Sequence, residues 1–339
     1  MQPANLELLW VGGEGGMEAE LVQRYGIPYT EIPAAGVHGV GLRTLPRNLS
    51  KLASGVLASR KILRDFKPDA LFFTGGYVAA PMALAGMRIP SLLYVPDIEP
   101  GLALQFLAWF AKRITISAST PTVKFSRASR VIETGYPIRP DLAQWDKESA
   151  REKLGLDAEN PVLLVFGGSK GARSINNAVL ANLPQLLERM QIVHISGKLD
   201  WQNVKDAQKS LKGKQAQNYR VFDYLHEEMG AALASADLVV SRAGASSLGE
   251  FPFFGLPALL VPYPYAWRYQ KVNAEYLSKK GAAILVKDEN LTERLLPLVD
   301  DLLGDPQKLN EMKEAMKSLA RPQAAEKIAA ELLALARKR

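Results

Sequence analysis

The chain has 339 residues, 47% hydrophobic and 23% charged, and 42 basic against 35 acidic side chains leave a net charge of +7. That composition excludes a disordered or coiled-coil chain, and 26 glycines with 21 prolines are too few for a collagenous one. With no cysteine there is no disulfide, thiolate chemistry or Cys-ligated metal, which fits a reducing, cytoplasmic compartment. At about 150 residues per domain the length suggests two domains. No apolar run reaches the roughly 18 residues needed to span a bilayer, and Met1-Gln2-Pro3-Ala4-Asn5 lacks the basic-then-apolar order of a leader. The basic excess suits an anionic small substrate or an anionic membrane surface. No zinc-finger, homeodomain or aromatic RNA-binding signature supports a nucleic-acid partner.

Short apolar runs alternate with amphipathic stretches, the pattern of a parallel α/β fold. Strands are expected at 6–11, 70–73, 91–94, 113–116 and 130–133, with helices at 18–24, 49–66 and 102–111. Around 135–145 the texture turns to Pro137, Pro140 and polar residues, an inter-domain connection. Strands then follow at 161–166, 192–196, 219–222, 238–241, 258–261 and 283–286, and a helix closes the chain over 324–337. The division is 1–138, a connection 139–160, a second domain 161–323 and a terminal helix 324–339. Two Rossmann-like halves are expected to face each other across a cleft, with ligands beyond the carboxyl ends of the strands.

Three loops of the second half carry chemistry. In the first, a buried run ends in Gly167-Gly168-Ser169-Lys170-Gly171-Ala172 and a helix opens. Glycines let a backbone approach a phosphate, and the helix start offers unpaired N–H groups and a positive dipole end. The spacing matches neither a Walker A loop nor the dinucleotide fingerprint, and a plain β–α turn needs glycine as well. In the second, Ser241-Arg242-Ala243-Gly244-Ala245 is followed by Glu250 about two turns into the expected helix, where a carboxylate can accept both ribose hydroxyls. The third, 262–273, interleaves Tyr263, Tyr265, Trp267 and Tyr269 with Gln270 and can stack on a sugar or simply pack between domains. Together they describe a nucleotide-sugar site better than any one of them does.

These motifs, with His194-Ile195-Ser196-Gly197-Lys198, Gly255-Leu256-Pro257-Ala258, Thr74-Gly75-Gly76-Tyr77-Val78-Ala79-Ala80-Pro81 and Gly135-Tyr136-Pro137-Ile138-Arg139, resemble the MurG glycosyltransferases in order over nearly the whole chain. The resemblance implies a GT-B fold, acceptor half first and donor half second. It implies inverting transfer of N-acetylglucosamine from UDP-GlcNAc to a lipid-linked MurNAc-pentapeptide, at the cytoplasmic face of the plasma membrane and without cofactor or metal. By position, Gly167, Gly168, Ser169, Gly171 and Ala172 would hold the diphosphate together with Arg139. Arg242, Gly244 and Ala245 would also bind the donor, Glu250 would take its ribose hydroxyls, Gln270 would read the sugar, and Gly75, Gly76 and Tyr77 would face the acceptor.

The chain departs from that family at its start, where an opening strand and a Gly-Thr-Gly-Gly-His loop are usual. Their absence is expected to expose strand edges and apolar faces. The family's His-Glu-Gln-Asn element reads Tyr94-Val95-Pro96-Asp97 here. Asp97 is the first candidate for the catalytic base and His38 the second, while His194 on its strand reads as a satisfied core histidine. Trp109 and Phe110, beside Lys112 and Arg113, and the 49–66 stretch with Lys51, Arg60, Lys61 and Arg64 suit adsorption on an anionic leaflet or ordinary core packing. Another GT-B transferase with a lipid or natural-product acceptor, or a non-catalytic UDP-sugar binder, remain the alternatives.

Overall fold

The computed structural model describes residues 6–16, 18–36, 41, 43–120, 125, 130–168, 170–264 and 269–337. The first half runs β1 (Trp10–Gly13), α1 (Glu18–Arg24), β2 (Tyr29–Ile32), α2 (Leu45–Phe66), β3 (Leu71–Phe73), α3 (Ala79–Ala85), β4 (Ser91–Val95), α4 (Leu102–Phe110), β5 (Arg113–Ile116) and β6 (Val131–Glu133). After α5 (Lys147–Leu154) come β7 (Val162–Phe166), α6 (Arg173–Ala181), α7 (Leu183–Arg189), β8 (Gln191–Ile195), α8 (Trp201–Ser210), α9 (Gly213–Gln217), β9 (Tyr219–Phe222) and α10 (Met229–Ser235). The chain ends with β10 (Leu238–Ser241), α11 (Glu250–Phe254), β11 (Ala258–Leu260), α12 (Tyr269–Lys279), β12 (Ala283–Leu285), α13 (Leu291–Gly304), α14 (Pro306–Ser318) and α15 (Ala324–Ala336).

The second half is one parallel sheet in the order β12-β11-β10-β7-β8-β9. Its central strands are apolar on both faces because helices cover both sides, so β7 reads Val-Leu-Leu-Val-Phe without alternation. Leu238 to Ser241 pair with Leu163 to Phe166, which sets the carboxyl ends of β7 and β10 side by side. The strand order reverses between these two, and a crevice opens there in doubly wound sheets.

The first half holds two separate parallel sheets, β1-β2 and β3-β4-β5-β6. Between β1 and β3 lies a cavity of about 510 Å³ lined by Trp10, Val11, Ile62, Leu71, Phe73 and Met82. Phe72 of β3 is 42% exposed. Among the described residues each of the two strands pairs on one side only, so the cavity lies between two unpaired edges. β1 lies nearer its glycines than the expected 6–11, because the Tyr29 ring packs where a side chain on Gly12 would project. β2 and α3 were not anticipated. β2 has four residues between Pro28 and Pro33 with only Ile32 buried, and α3 carries Pro81 in its first turn.

The terminal helix crosses back. Ile328 and Leu335 of α15 pack on Leu92 and Tyr94 of β4, Glu331 pairs with Arg113, and Arg321 reaches Glu133 at 3.4 Å. The last helix in sequence therefore completes the core of the first half.

Candidate functional site

The loop after β7 is shaped by what its glycines allow. Gly171 (φ +79°) sits where a Cβ would meet the Ser196 carbonyl oxygen at 2.2 Å, so the two loops touch backbone to backbone. α6 follows, with Ala172 at its N-cap making no side-chain cap bond. Its first N–H groups thus meet the open carboxyl end of the sheet, an arrangement that favours an anion. Ser169 lies outside the described residues.

A buried polar network holds this loop from beneath. Asn176 Nδ2 donates to the Ser196 carbonyl at 2.9 Å and to Asp200 Oδ2 at 3.0 Å. Both partners are acceptors, which fixes the amide orientation. Asn176 Oδ1 must then accept from His194 Nε2–H (2.9 Å), and His194 Nδ1 accepts from the Tyr219 hydroxyl (2.7 Å). His194 is fully buried, and burial drives its pKa down to about 3, Asp200 opposing only in part. It is the satisfied core histidine anticipated above.

Arg242 lies at the carboxyl end of β10, but its donors are spent inside the protein. It bonds the Val261 carbonyl at 2.9 Å and Ser174 Oγ at 2.8 Å, pairs with Asp288, and lies 5.3 Å from the Tyr263 ring centre. It braces β10 against α6 and Asp288 rather than presenting a free guanidinium. Gly244 caps a 3-10 turn over Ala245–Leu248, and Gly249, where a Cβ would meet the Tyr136 side chain, separates that turn from α11. Glu250 therefore opens α11 instead of standing two turns into one helix. Burial raises its carboxyl pKa, opposed by a Ser246 hydrogen bond and the Arg139 charge. Gln270 Oε1 accepts from the Tyr263 backbone at 2.9 Å, pinning the aromatic loop to α12.

The facing wall comes from the first half. Asp97 follows β4, and its carboxyl pKa is raised by burial while Asn273 lowers it through a 2.8 Å bond to Oδ1. Tyr136 is pushed up to about 12, by burial first and then by the charges of Glu250 and Asp97. Arg139 is half exposed, 3.6 Å from Asp141. Asp97, Tyr136, Arg139 and Glu250 thus come together from both halves. Gly75 and Gly76 turn the chain after β3, both at positive φ, with Tyr77 exposed beyond them. His38 lies outside the described residues. Trp109 stands 75% exposed on α4, but Phe110 does not share its face. Phe110 turns with Leu104 and Leu107 toward the core and meets Phe106 edge-on at 5.1 Å. Among the described residues no group of three His, Asp or Glu side chains converges as a metal site.

The glycosyltransferase family 28 N-terminal domain matches residues 2–116, and the C-terminal domain of that family matches residues 162–328. A UDP-N-acetylglucosamine–N-acetylmuramyl-(pentapeptide) pyrophosphoryl-undecaprenol N-acetylglucosamine transferase of Roseiflexus sp. (strain RS-1) is 41% identical, over 95% of this chain and 82% of that protein. The protein of the same name from Listeria welshimeri is 36% identical, over 97% of this chain and 91% of its own. The chain belongs to the MurG family. The crystal structure of Acinetobacter baumannii MurG superposes with a TM-score of 0.75 at 26% identity, covering 96% of this chain and 91% of that one. CalG4, the calicheamicin glycosyltransferase, shares the fold at a TM-score of 0.63 and 14% identity. The GT-B architecture of the MurG family, two parallel α/β halves with a cleft between them, is the one seen here.

The roles of three residues at and beneath this MurG cleft were not read from the sequence: Asn176, Asn273 and Tyr136. The two asparagines stand on helix faces otherwise filled by Ile175, Ala178 and Val179, and by Ala274 and Leu277. A lone amide in an apolar stripe was the available signal. The neutral, buried His194 makes stability depend on pH. Its folded pKa lies below the 6.5 of the free side chain, so its stabilisation is complete above pH 6.5 and drains as pH falls toward 3. The loss is about 2 kcal/mol between pH 7.5 and 5. His194→Leu should cost about 2–4 kcal/mol at pH 7.5, by orphaning Asn176 and Tyr219, and should remove that increment. Urea unfolding at both pH values checks it; an unchanged pH dependence would refute the assignment.

Proposed function

We propose that the chain transfers N-acetylglucosamine from UDP-GlcNAc to undecaprenyl-pyrophosphoryl-MurNAc-pentapeptide, converting lipid I to lipid II in peptidoglycan synthesis. The observation that carries this reading is the pair of loops at the β7/β10 reversal, facing Asp97 and Arg139, in a chain 36–41% identical to transferases of that name. The diphosphate sits on the 167–172 loop, Ser169 included, at the start of α6. Arg139, half exposed beside Asp141, is the cation that approaches it from the other wall, since Arg242 serves as a brace. Glu250 takes the ribose hydroxyls and Gln270 the sugar. Gly75, Gly76 and Tyr77 border the acceptor.

Asp97 is the group that takes the proton from the attacking acceptor hydroxyl as the diphosphate leaves from the opposite face of the sugar, inverting the anomeric centre. Burial suits it to the task, because a carboxylate held in a poorly solvated site is a stronger base than one in water. Negative charge developing on the leaving diphosphate is met by the α6 dipole and Arg139, with no metal in the scheme. The enzyme works at the cytoplasmic face of the membrane, without a nucleic-acid partner. No helix of the described residues is long and apolar enough to cross a bilayer. Contact is made by the outward face of α4, where Trp109, Phe106 and Leu102 are exposed ahead of Lys112 and Arg113.

A transfer assay with UDP-GlcNAc and a soluble lipid I analogue should show turnover that persists in EDTA. UDP binding without transfer would overturn the reading in favour of another acceptor or a binding protein. Asp97→Asn should lower kcat by at least about a hundredfold with UDP affinity unchanged. In the wild type, the acid limb of kcat should lie above the ordinary aspartate value of 3.8. Turnover of the variant near the wild-type rate would remove Asp97 from the chemistry. Trp109→Ser should weaken co-sedimentation with anionic liposomes about tenfold, with the urea midpoint nearly unmoved because the residue is 75% exposed.

A further inference from the structure

One side chain joins the two walls of the cleft. Asn273, on α12 of the second half, is fully buried. Its Nδ2 donates to Asp97 Oδ1 at 2.8 Å and to the Ala243 carbonyl at 3.1 Å, and its Oδ1 accepts from the Ile98 backbone N–H at 3.0 Å. Asp97 and Ile98 follow β4 in the first half, whereas Ala243 belongs to the loop after β10 in the second. The same amide therefore touches the loop carrying the proposed base and the loop bordering the donor.

The surrounding packing points the same way. Ile98 leaves the first half altogether and is 3% exposed within the second half's core, in the cluster that holds Ala243, Leu248 and Ala274. At the far end of its loop, Gly101 lies where a Cβ would meet the Tyr269 hydroxyl at 3.0 Å, so the start of α12 rests on the loop's backbone. A hydrophobic hook is thus seated in the second half, and a three-way amide locks it there. Hydrogen bonds from a buried amide are worth most when every arm is made, because a broken arm leaves a desolvated group behind.

We propose that Asn273 is a positioning residue, a clasp that holds the 96–101 loop of the first half against the 243–245 loop of the second and so sets the base and the donor in register. Its effect on turnover rests on the transferase reading above; its effect on the geometry of the two halves does not. Loss of the clasp is expected to leave UDP binding to the second half nearly intact and to penalise the chemical step, since a displacement of about 1 Å can cost a hundredfold.

The absence of native cysteine allows a direct measurement. Nitroxide labels at Arg60→Cys and Lys212→Cys, both exposed and one on each half, report the distance between halves by pulsed electron spin resonance. The parent should give one narrow distribution and Asn273→Ala a broader, longer one. UDP affinity should change by less than about threefold and kcat fall by at least about tenfold. Asp97→Asn keeps an acceptor oxygen for Asn273 Nδ2 and should leave the distribution narrow while turnover is lost. If Asn273→Ala gives no cooperative urea transition, Asn273→Ser is read in its place. An unchanged distribution without the clasp overturns the proposal. Since the distances need no transfer assay, an inactive chain would still test the clasp. An active one with unmoved halves would refute the clasp alone.

Discussion

The buried amide of Asn176 is the interaction on which the second half's site is built. Both acceptors of its Nδ2, the Ser196 carbonyl and Asp200, are oxygens with nothing to donate, so the amide has one orientation, His194 one tautomer and the Tyr219 hydroxyl one role. This chain ties α6 to the turn after β8 at the place where Gly171 meets Gly197 without side chains between them. The start of α6 cannot slide along the sheet without breaking a bond in a dry interior, at about 1–3 kcal/mol for each orphaned group. An anion-binding helix start gains from such rigidity, because the N–H groups stand in place before the ligand arrives.

Burial and charge compete in the cleft, and burial wins at each carboxylate. Glu250 and Asp97 are both pushed toward the neutral form, although Arg139 and hydrogen bonds to Ser246 and Asn273 work against it. A half-exposed Arg139 cannot offset the desolvation of two acids. The same poorly hydrated surroundings strengthen whatever charge a ligand brings. With Arg242 committed to Asp288, the positive end of the α6 dipole, about half a charge, and the half-exposed Arg139 favour an anion there, together with Lys170 in the loop itself.

The second half was legible residue by residue because its central strands are buried on both faces and read as unbroken apolar runs; β10 and the half-buried edge strand β9 fall where expected and the others within a residue or so. The first half was less so. β2 lacks the apolar content of a central strand, and β1 extends into glycines that resemble a loop until Tyr29 is seen lying over Gly12. Within the site, the loops were visible but the duties of single side chains were not. Arg242 looks like a donor-binding side chain until Asp288, 46 residues away in sequence, is found to hold it. Glu250 seems embedded in a helix until Tyr136 is found wedged against Gly249. Both depend on partners that only the fold brings near, which no local pattern encodes.

The two halves are joined by exchange rather than by a flat contact. The second half sends α15 to cover Leu92 and Tyr94 of β4, and the first half sends Ile98, three residues beyond the end of β4, into the second half's core. Both links hang on the same strand, so the loop that carries Asp97 is held between an apolar seat on each half. The β1-β2 pair shares no ladder with β3-β4-β5-β6 among the described residues, yet Val11 of β1 and Ile62 and Leu63 of α2 pack on the apolar cluster built by β3, β4 and β5. Opening the cleft would have to break the α15 packing or the Ile98 seat, and either break returns apolar surface to water.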